Sequence, residues 1–473
     1  MKHRLLVLCT LLTLCSVFAF SFSDVAFARA SSTYISSSCI NTDGTTRALA
    51  GTINGSNYLI QVPGNWNGTL LLYSHGYRFT GSALTPQDTS DAVTGGALLH
   101  QGYALAGSSY SQNGWALQQA FQDQIAVLDA FNAACGKPMR TIAWGDSLGG
   151  IITAGLVQLH PERFSGAMPL CGVLSGGLGT WNQALDSSFA FNILLAGGML
   201  PPVHITDPGA GFNTAQALIQ AAQKTPQGRA RIALSAALAD LPGWFSSTSP
   251  EPASTDFAAQ EQNQFLWQTQ VDLAFAFFGR QELEIRAGGN PSWNIGVDYR
   301  LQLLRSVDRR EVEALYKEAG LSLDKDLAAL NKAPRIAPDL KASLYLSKFI
   351  TFNGDLDIPV LTMHTTGDGL VVNTNEQTYA KVVHETGDTS LLRQVFVHRA
   401  GHCTMTPAER LTAIGTLVHR LDTGRWEDTT NPDRMNAEAT ALGPTFNIAS
   451  PSFIHFQPAT FLRPFAIPEL FHR

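Results

Sequence analysis

Charge is scarce in this chain. Of its 473 residues only 15% are charged, against 45% hydrophobic. It can therefore bury one large core or two smaller ones, and it lacks the composition of a disordered segment. No collagen-like period and no internal repeat is present, which excludes fibrous and solenoid architectures. The net charge of −6 lacks the basic excess that nucleic acid or an anionic membrane would require. The twelve histidines show neither H-E-x-x-H nor a Cys/His zinc spacing, so no metal is expected. Ser175-Gly-Gly-Leu-Gly179 lacks the G-x-G-x-x-G spacing and reads as a hinge, so no dinucleotide cofactor is expected either.

Long apolar runs are absent beyond the first residues. Lys2 and Arg4 precede an almost wholly apolar run from Leu5 to Phe22, and Ala26-Phe-Ala28 or Ala28-Arg-Ala30 supplies small residues for cleavage. Residues 1–28 thus read as a signal peptide, with no stable membrane anchor after cleavage and a secreted product, extracellular or periplasmic. Cys15 follows the bulky Leu14, unlike a lipoprotein site. Cleavage leaves Cys39, Cys135, Cys171 and Cys403. An even set in an exported chain predicts disulfides, and three pairings are open. Asn54-Gly-Ser and Asn67-Gly-Thr match the glycosylation pattern, which matters only in a eukaryotic host.

What is present is a rhythm. From about Tyr34 to Leu72 the residues favour strands and turns. Thr69 to Tyr73 is nearly all apolar, as a strand buried on both faces is, and it ends in Ser74-His75-Gly76-Tyr77. Tyr103–Gly107 reads as a strand, Leu117–Ala134 as an amphipathic helix, Ile151–His160 as helix and Phe164–Leu170 as strand. This alternation predicts an α/β fold with a doubly wound, mostly parallel sheet. From Ser175 to Asn353 the pattern turns mainly helical, with segments at Thr214–Gln223, Pro226–Ala239, Ala258–Phe278 and Asp308–Ala319. Asp308, three residues before Glu311, reads as the cap of the last. Residues 175–353 are therefore expected to form a helical cap inserted into a core of residues 29–174 and 354–473. Phe265, Trp267, Phe275, Phe277 and Phe278 should be its core and inner face. The sheet resumes at Ile358–Met363 and Leu392–Val397, and Thr406-Pro-Ala-Glu409 is a capping box. The tail from Glu427 is rich in Pro and Phe without period and is expected to be irregular.

Gly145-Asp-Ser147-Leu-Gly149, a G-x-S-x-G match, sits where a β-favouring run meets a helix. That context places a serine hydroxyl on a tight, strained turn. A serine needs a base, and the base needs a partner that holds its tautomer. Asp368 follows a later strand and His402 the last one, in the chain order Ser147, Asp368, His402. Asp355 and Asp357 precede their strand and so lie at the wrong end. His398 directly follows its strand, whereas His402 sits in the loop before a capped helix, which favours His402 as the base.

These elements resemble the α/β-hydrolase superfamily over roughly residues 55–172 and 355–425. The resemblance implies a Ser-His-Asp hydrolase in which the N–H groups of Leu148 and Tyr77 hold the oxyanion. It implies a small-molecule or oligomeric ester as substrate, by way of an acyl-enzyme. A serine peptidase or aminopeptidase is the alternative, and an acidic cluster on the cap would favour it. A non-catalytic binding protein of the same fold is disfavoured by the complete triad. Cys171 and Cys403 fall at the same end of the sheet, so a bridge between them is expected, leaving Cys39 to pair with Cys135. Tannase and fungal feruloyl-esterase-like hydrolases similarly tie a histidine loop through a neighbouring cysteine. Theirs, however, lies beside the nucleophile, where this chain has Asp146.

Overall fold

The computed structural model describes residues 39–41 and 43–464. The expected signal peptide lies outside the described residues. Nine strands form one sheet: β1 (Arg47–Ile53), β2 (Ser56–Val62), β3 (Thr69–Ser74), β4 (Ala104–Ser108), β5 (Arg140–Asp146), β6 (Gly166–Leu170), β7 (Val360–Gly367), β8 (Leu392–Ala400) and β9 (Phe453–Ile454). Their spatial order is β1-β2-β4-β3-β5-β6-β7-β8-β9. From β4 through β8 every pairing is parallel, while β1, β2 and β9 pair antiparallel at the edges.

The central strands are the apolar runs of the sequence, and β3, β4 and β6 are buried along their whole length. Side chains from alternate positions therefore feed two cores. One face packs against the helices Leu117–Cys135 and Leu148–Leu159. The other packs against Pro407–Thr423 and Pro432–Ala441. This is the doubly wound, mostly parallel sheet of the α/β-hydrolases.

Between β6 and β7 the chain runs through helices from Gly176–Leu194 to Leu340–Lys348, which build apolar clusters of their own. The described residues nevertheless form one compact unit. The longest helical stretch, Phe257–Ala287, is continuous but carries two π turns, Gln268–Asp272 and Phe275–Gly279.

Two expectations are corrected. The tail after Glu427 is not irregular throughout: Asn431 caps the helix Pro432–Ala441, and β9 extends the sheet beside β8. Asp308 stands at the cap position of Arg309–Glu318 but makes no side-chain cap bond, and its Oδ2 is buried without a hydrogen-bond partner. The capping box at Thr406 and Glu409 is complete, with Pro407 in the first turn.

Candidate active site

Ser147 stands between β5 and the helix Leu148–Leu159 with φ 57° and ψ −127°. Such a left-handed conformation in a non-glycine residue is held only by its surroundings. The flanking glycines explain how the turn fits. A Cβ on Gly149 would sit 1.8 Å from the Ser74 carbonyl oxygen, and one on Gly145 would sit 2.4 Å from it. The end of β3 thus presses directly on the turn. The loop that continues β3 passes the serine as well, since a Cβ on Gly76 would be 3.3 Å from Ser147 Cβ.

His75 orients that loop. Its Nδ1 lies 2.7 Å from the Gly76 carbonyl oxygen and its ring stacks on Tyr110. Burial, helped by Arg78, pushes the imidazole down to about 4, so the ring is neutral at physiological pH. The carbonyl accepts, so Nδ1 carries the proton. A trans peptide points its N–H opposite to its C=O. Pinning Gly76 O toward His75 therefore turns the Tyr77 N–H away from His75.

Asp368 and His402 come together at the ends of β7 and β8. His402 Nδ1 is 2.7 Å from Asp368 Oδ2, and Asp368 Oδ1 accepts from the Leu370 and Val371 N–H groups at 3.0 Å each. Burial pushes this carboxyl up, but His402 and His364 outweigh it and hold it below its ordinary range. On its other edge His402 Nε2 faces Cys403 Sγ at 3.4 Å, and no hydrogen bond joins it to Ser147 Oγ in this conformation. The structure does not gather the competitors here. His398 is exposed, paired with Glu251 at 3.2 Å and with Thr366, and Asp355 and Asp357 lie exposed before β7.

Cys171 is bonded to Cys403 and Cys39 to Cys135. The first bridge joins the end of β6 to the residue after His402. Cys171, His402 and Cys403 converge closely, but the two sulfurs bond each other, so neither is a thiolate that could take a metal. Arg410 adds a second tie, donating from Nη1 to Asp146 Oδ1 at 2.5 Å and from Nη2 to the Cys403 carbonyl at 3.0 Å. Tyr73 donates to the other oxygen of Asp146. The residue before Ser147 and the residue after His402 are thus held by one guanidinium.

Ser147, Leu148 and Tyr77 line a cavity of about 160 Å³. Its walls come mostly from the insertion, with Trp181, Phe191, Phe275 and Phe277 among the aromatic residues. Phe461 of the tail also lines it. Trp267 covers the acid loop so closely that a Cβ on Gly369 would lie 2.3 Å from its ring. Among the described residues Asp272 is the one acidic or basic side chain that lines the cavity, and its Oδ2 has no hydrogen-bond partner. Burial and then Asp368 push its carboxyl well above the usual range. By surface area Asp272 is only partly covered, yet protein surrounds it and the open part belongs to the cavity wall. Sequence reasoning passed over Asp272, His364 and Arg410. The one visible signal was a single acid in the aromatic run from Phe265 to Phe278.

Known proteins place the chain in a family. It is 29% identical over 420 residues to an o-phthalyl amidase of Xanthobacter agilis, covering 82% of this chain and 90% of that one. Among solved structures, feruloyl esterase B of Aspergillus oryzae aligns over 80% of both chains at 15% identity, with a TM-score of 0.40. Proline iminopeptidase of Mycobacterium smegmatis aligns over 80% of this chain and 99% of that one at 12% identity, with a TM-score of 0.36. Structural likeness at that level carries no information on substrate. The model of the tannase-like family of unknown function (DUF6351) matches residues 54–403, which take in Ser147, Asp368 and His402. The chain belongs to that tannase-like family.

Proposed function

We propose that this protein is an exported serine hydrolase that cleaves carboxylic esters whose acyl part carries one aromatic ring. The coarse class is a hydrolase of the α/β fold. The observation that carries the finer reading is a strained serine at the wall of an aromatic cavity, together with a His402–Asp368 pair closed at 2.7 Å at the ends of β7 and β8. A cavity of about 160 Å³ is of the size that holds a benzene ring. The two disulfides suit an oxidising compartment. Among the described residues no helix is long and apolar enough to cross a membrane.

In this reading His402 Nε2 swings from Cys403 toward Ser147 and takes its proton as Oγ attacks the ester carbonyl. The Leu148 and Tyr77 N–H groups receive the oxyanion. Collapse of the tetrahedral intermediate expels the alcohol, which leaves with the proton from His402. Water then attacks the acyl-enzyme with His402 again as base, releasing the acid and restoring Ser147.

Amide cleavage is the second reading. The relative named o-phthalyl amidase supports it, and Asp272 gives it a form, since a carboxyl in the cavity wall suits a substrate amine. A panel of p-nitrophenyl acetate, p-nitrophenyl benzoate and aminoacyl p-nitroanilides separates the two. The ester reading expects kcat/KM to be highest on the benzoate. Turnover confined to aminoacyl anilides, and lost in Asp272→Asn, would replace it with the peptidase reading.

A further inference from the structure

Behind Asp368 lies an imidazole that the mechanism above does not use. His364, in β7, is fully buried. Its Nε2 is 2.8 Å from the Val371 carbonyl oxygen and 3.5 Å from Asp368 Oδ2, and its Nδ1 is 3.0 Å from Glu376 Oε1. Glu376 also accepts at Oε2 from Thr362 Oγ1 at 2.5 Å and from Gln394 Nε2 at 2.6 Å. Oε2 of Glu376 is thus taken by two donors while Oε1 faces His364, and the Val371 carbonyl only accepts. Both ring nitrogens of His364 therefore face acceptors, which is the pattern of a ring carrying two protons.

Resting on the Ser147, His402 and Asp368 reading, we propose that His364 is a positioning residue. It is a protonated imidazolium, clamped between Asp368 and Glu376, that keeps Asp368 ionised as the partner of His402. The groups that face it are Asp368 and Glu376 directly. Beyond Asp368 stand His402 and Asp272, and beyond Glu376 stands Tyr379. Burial pushes the His364 imidazole down, but the two carboxylates outweigh it and raise it to about 10.

A buried carboxylate with no cation beside it tends to take up a proton. His402 on one side and His364 on the other offset the burial of Asp368 and hold its carboxyl below the ordinary range. An ionised Asp368 is what holds the His402 Nδ1–H and supports the imidazolium formed in catalysis.

Two readouts test this on the full chain. In protein labelled with 15N-histidine, one imidazole should hold two protons up to about pH 9. That signal should vanish in His364→Gln and persist in Ser147→Ala. In ester hydrolysis His364→Gln should lower kcat roughly tenfold or more with KM little changed, because a neutral Asp368 no longer supports the base. Glu376→Gln, which leaves the cation on Asp368, should lose less. Histidine rings that are all neutral near pH 8 would overturn the proposal. So would a folded His364→Gln enzyme whose kcat stays where it was. If that variant does not fold, the spectrum of the unmodified protein decides. Activity retained in Ser147→Ala would refute the underlying site reading instead, and the two failures are read separately.

Discussion

At the scale of single residues, Ser147 holds a conformation that costs on the order of 1–3 kcal/mol, and the close approach of Ser74 and Gly76 maintains it. Its hydroxyl makes no packing contribution that alanine would lose. Ser147→Ala should therefore keep the thermal midpoint and cut turnover roughly 10⁴-fold or more, and His402→Ala should match it, because such residues act as a unit. His398→Ala should leave turnover near normal, since His398 pairs with Glu251 at the surface. Inactivation by the His398 change alone would move the base. The Asp146–Arg410 pair makes a separate prediction. Both side chains are largely buried, and removing one partner strands the other. Asp146→Asn should cost ~3–5 kcal/mol by urea unfolding and should also slow turnover, because Arg410 anchors the Cys403 carbonyl.

At the scale of elements, the insertion stores protons. Burial pushes Glu311 up to about 9, helped by Asp308, and burial pushes Asp308 up to about 7. The folded chain thus keeps protons that the unfolded chain releases above about pH 4.5. The stability these two acids contribute therefore falls as pH rises from there toward 9. His364 acts in the same direction, with its contribution complete below about pH 6.5 and lost as pH climbs through 10. Calorimetry should find a higher midpoint near pH 5 than near pH 9, and Glu311→Gln should flatten the slope. A midpoint that rises across this range would contradict the assignment of buried neutral acids.

The same elements show what could be read in advance. The central strands were legible because a strand buried on both faces is a run of Val, Ile, Leu and Ala, as in Thr69-Leu-Leu-Leu-Tyr73. The turn at Ser147 was legible because only glycine fits beside Ser74. The helix Pro432–Ala441 was announced by Asn431-Pro432 but hidden among prolines and phenylalanines. His364 and Asp272 could not be found, for a physical reason. Nothing local marks a histidine in a strand as ionised when its partner Glu376 arrives from the following helix. Asp272 ends a π turn, Gln268–Asp272, inside a longer helix, and nothing in its own neighbourhood of the sequence marks that turn.

At the scale of the molecule, distant segments converge on one loop. The Cys171–Cys403 bridge spans 232 residues and ties the end of β6 to the residue after His402. Its loss in Cys403→Ser should cost ~2–5 kcal/mol, and mild reduction should lower activity before near-UV circular dichroism reports unfolding. Activity unaffected by complete reduction would show that Arg410 alone holds the loop. The central claim, that Ser147 is the nucleophile activated by His402, is tested most directly by labelling the intact protein with a fluorophosphonate and mapping the adduct by mass spectrometry. The account predicts one adduct, on the peptide containing Ser147, absent from Ser147→Ala and strongly slowed in His402→Ala. A full-occupancy adduct on a different serine, with Ser147→Ala still turning over ester, would contradict it.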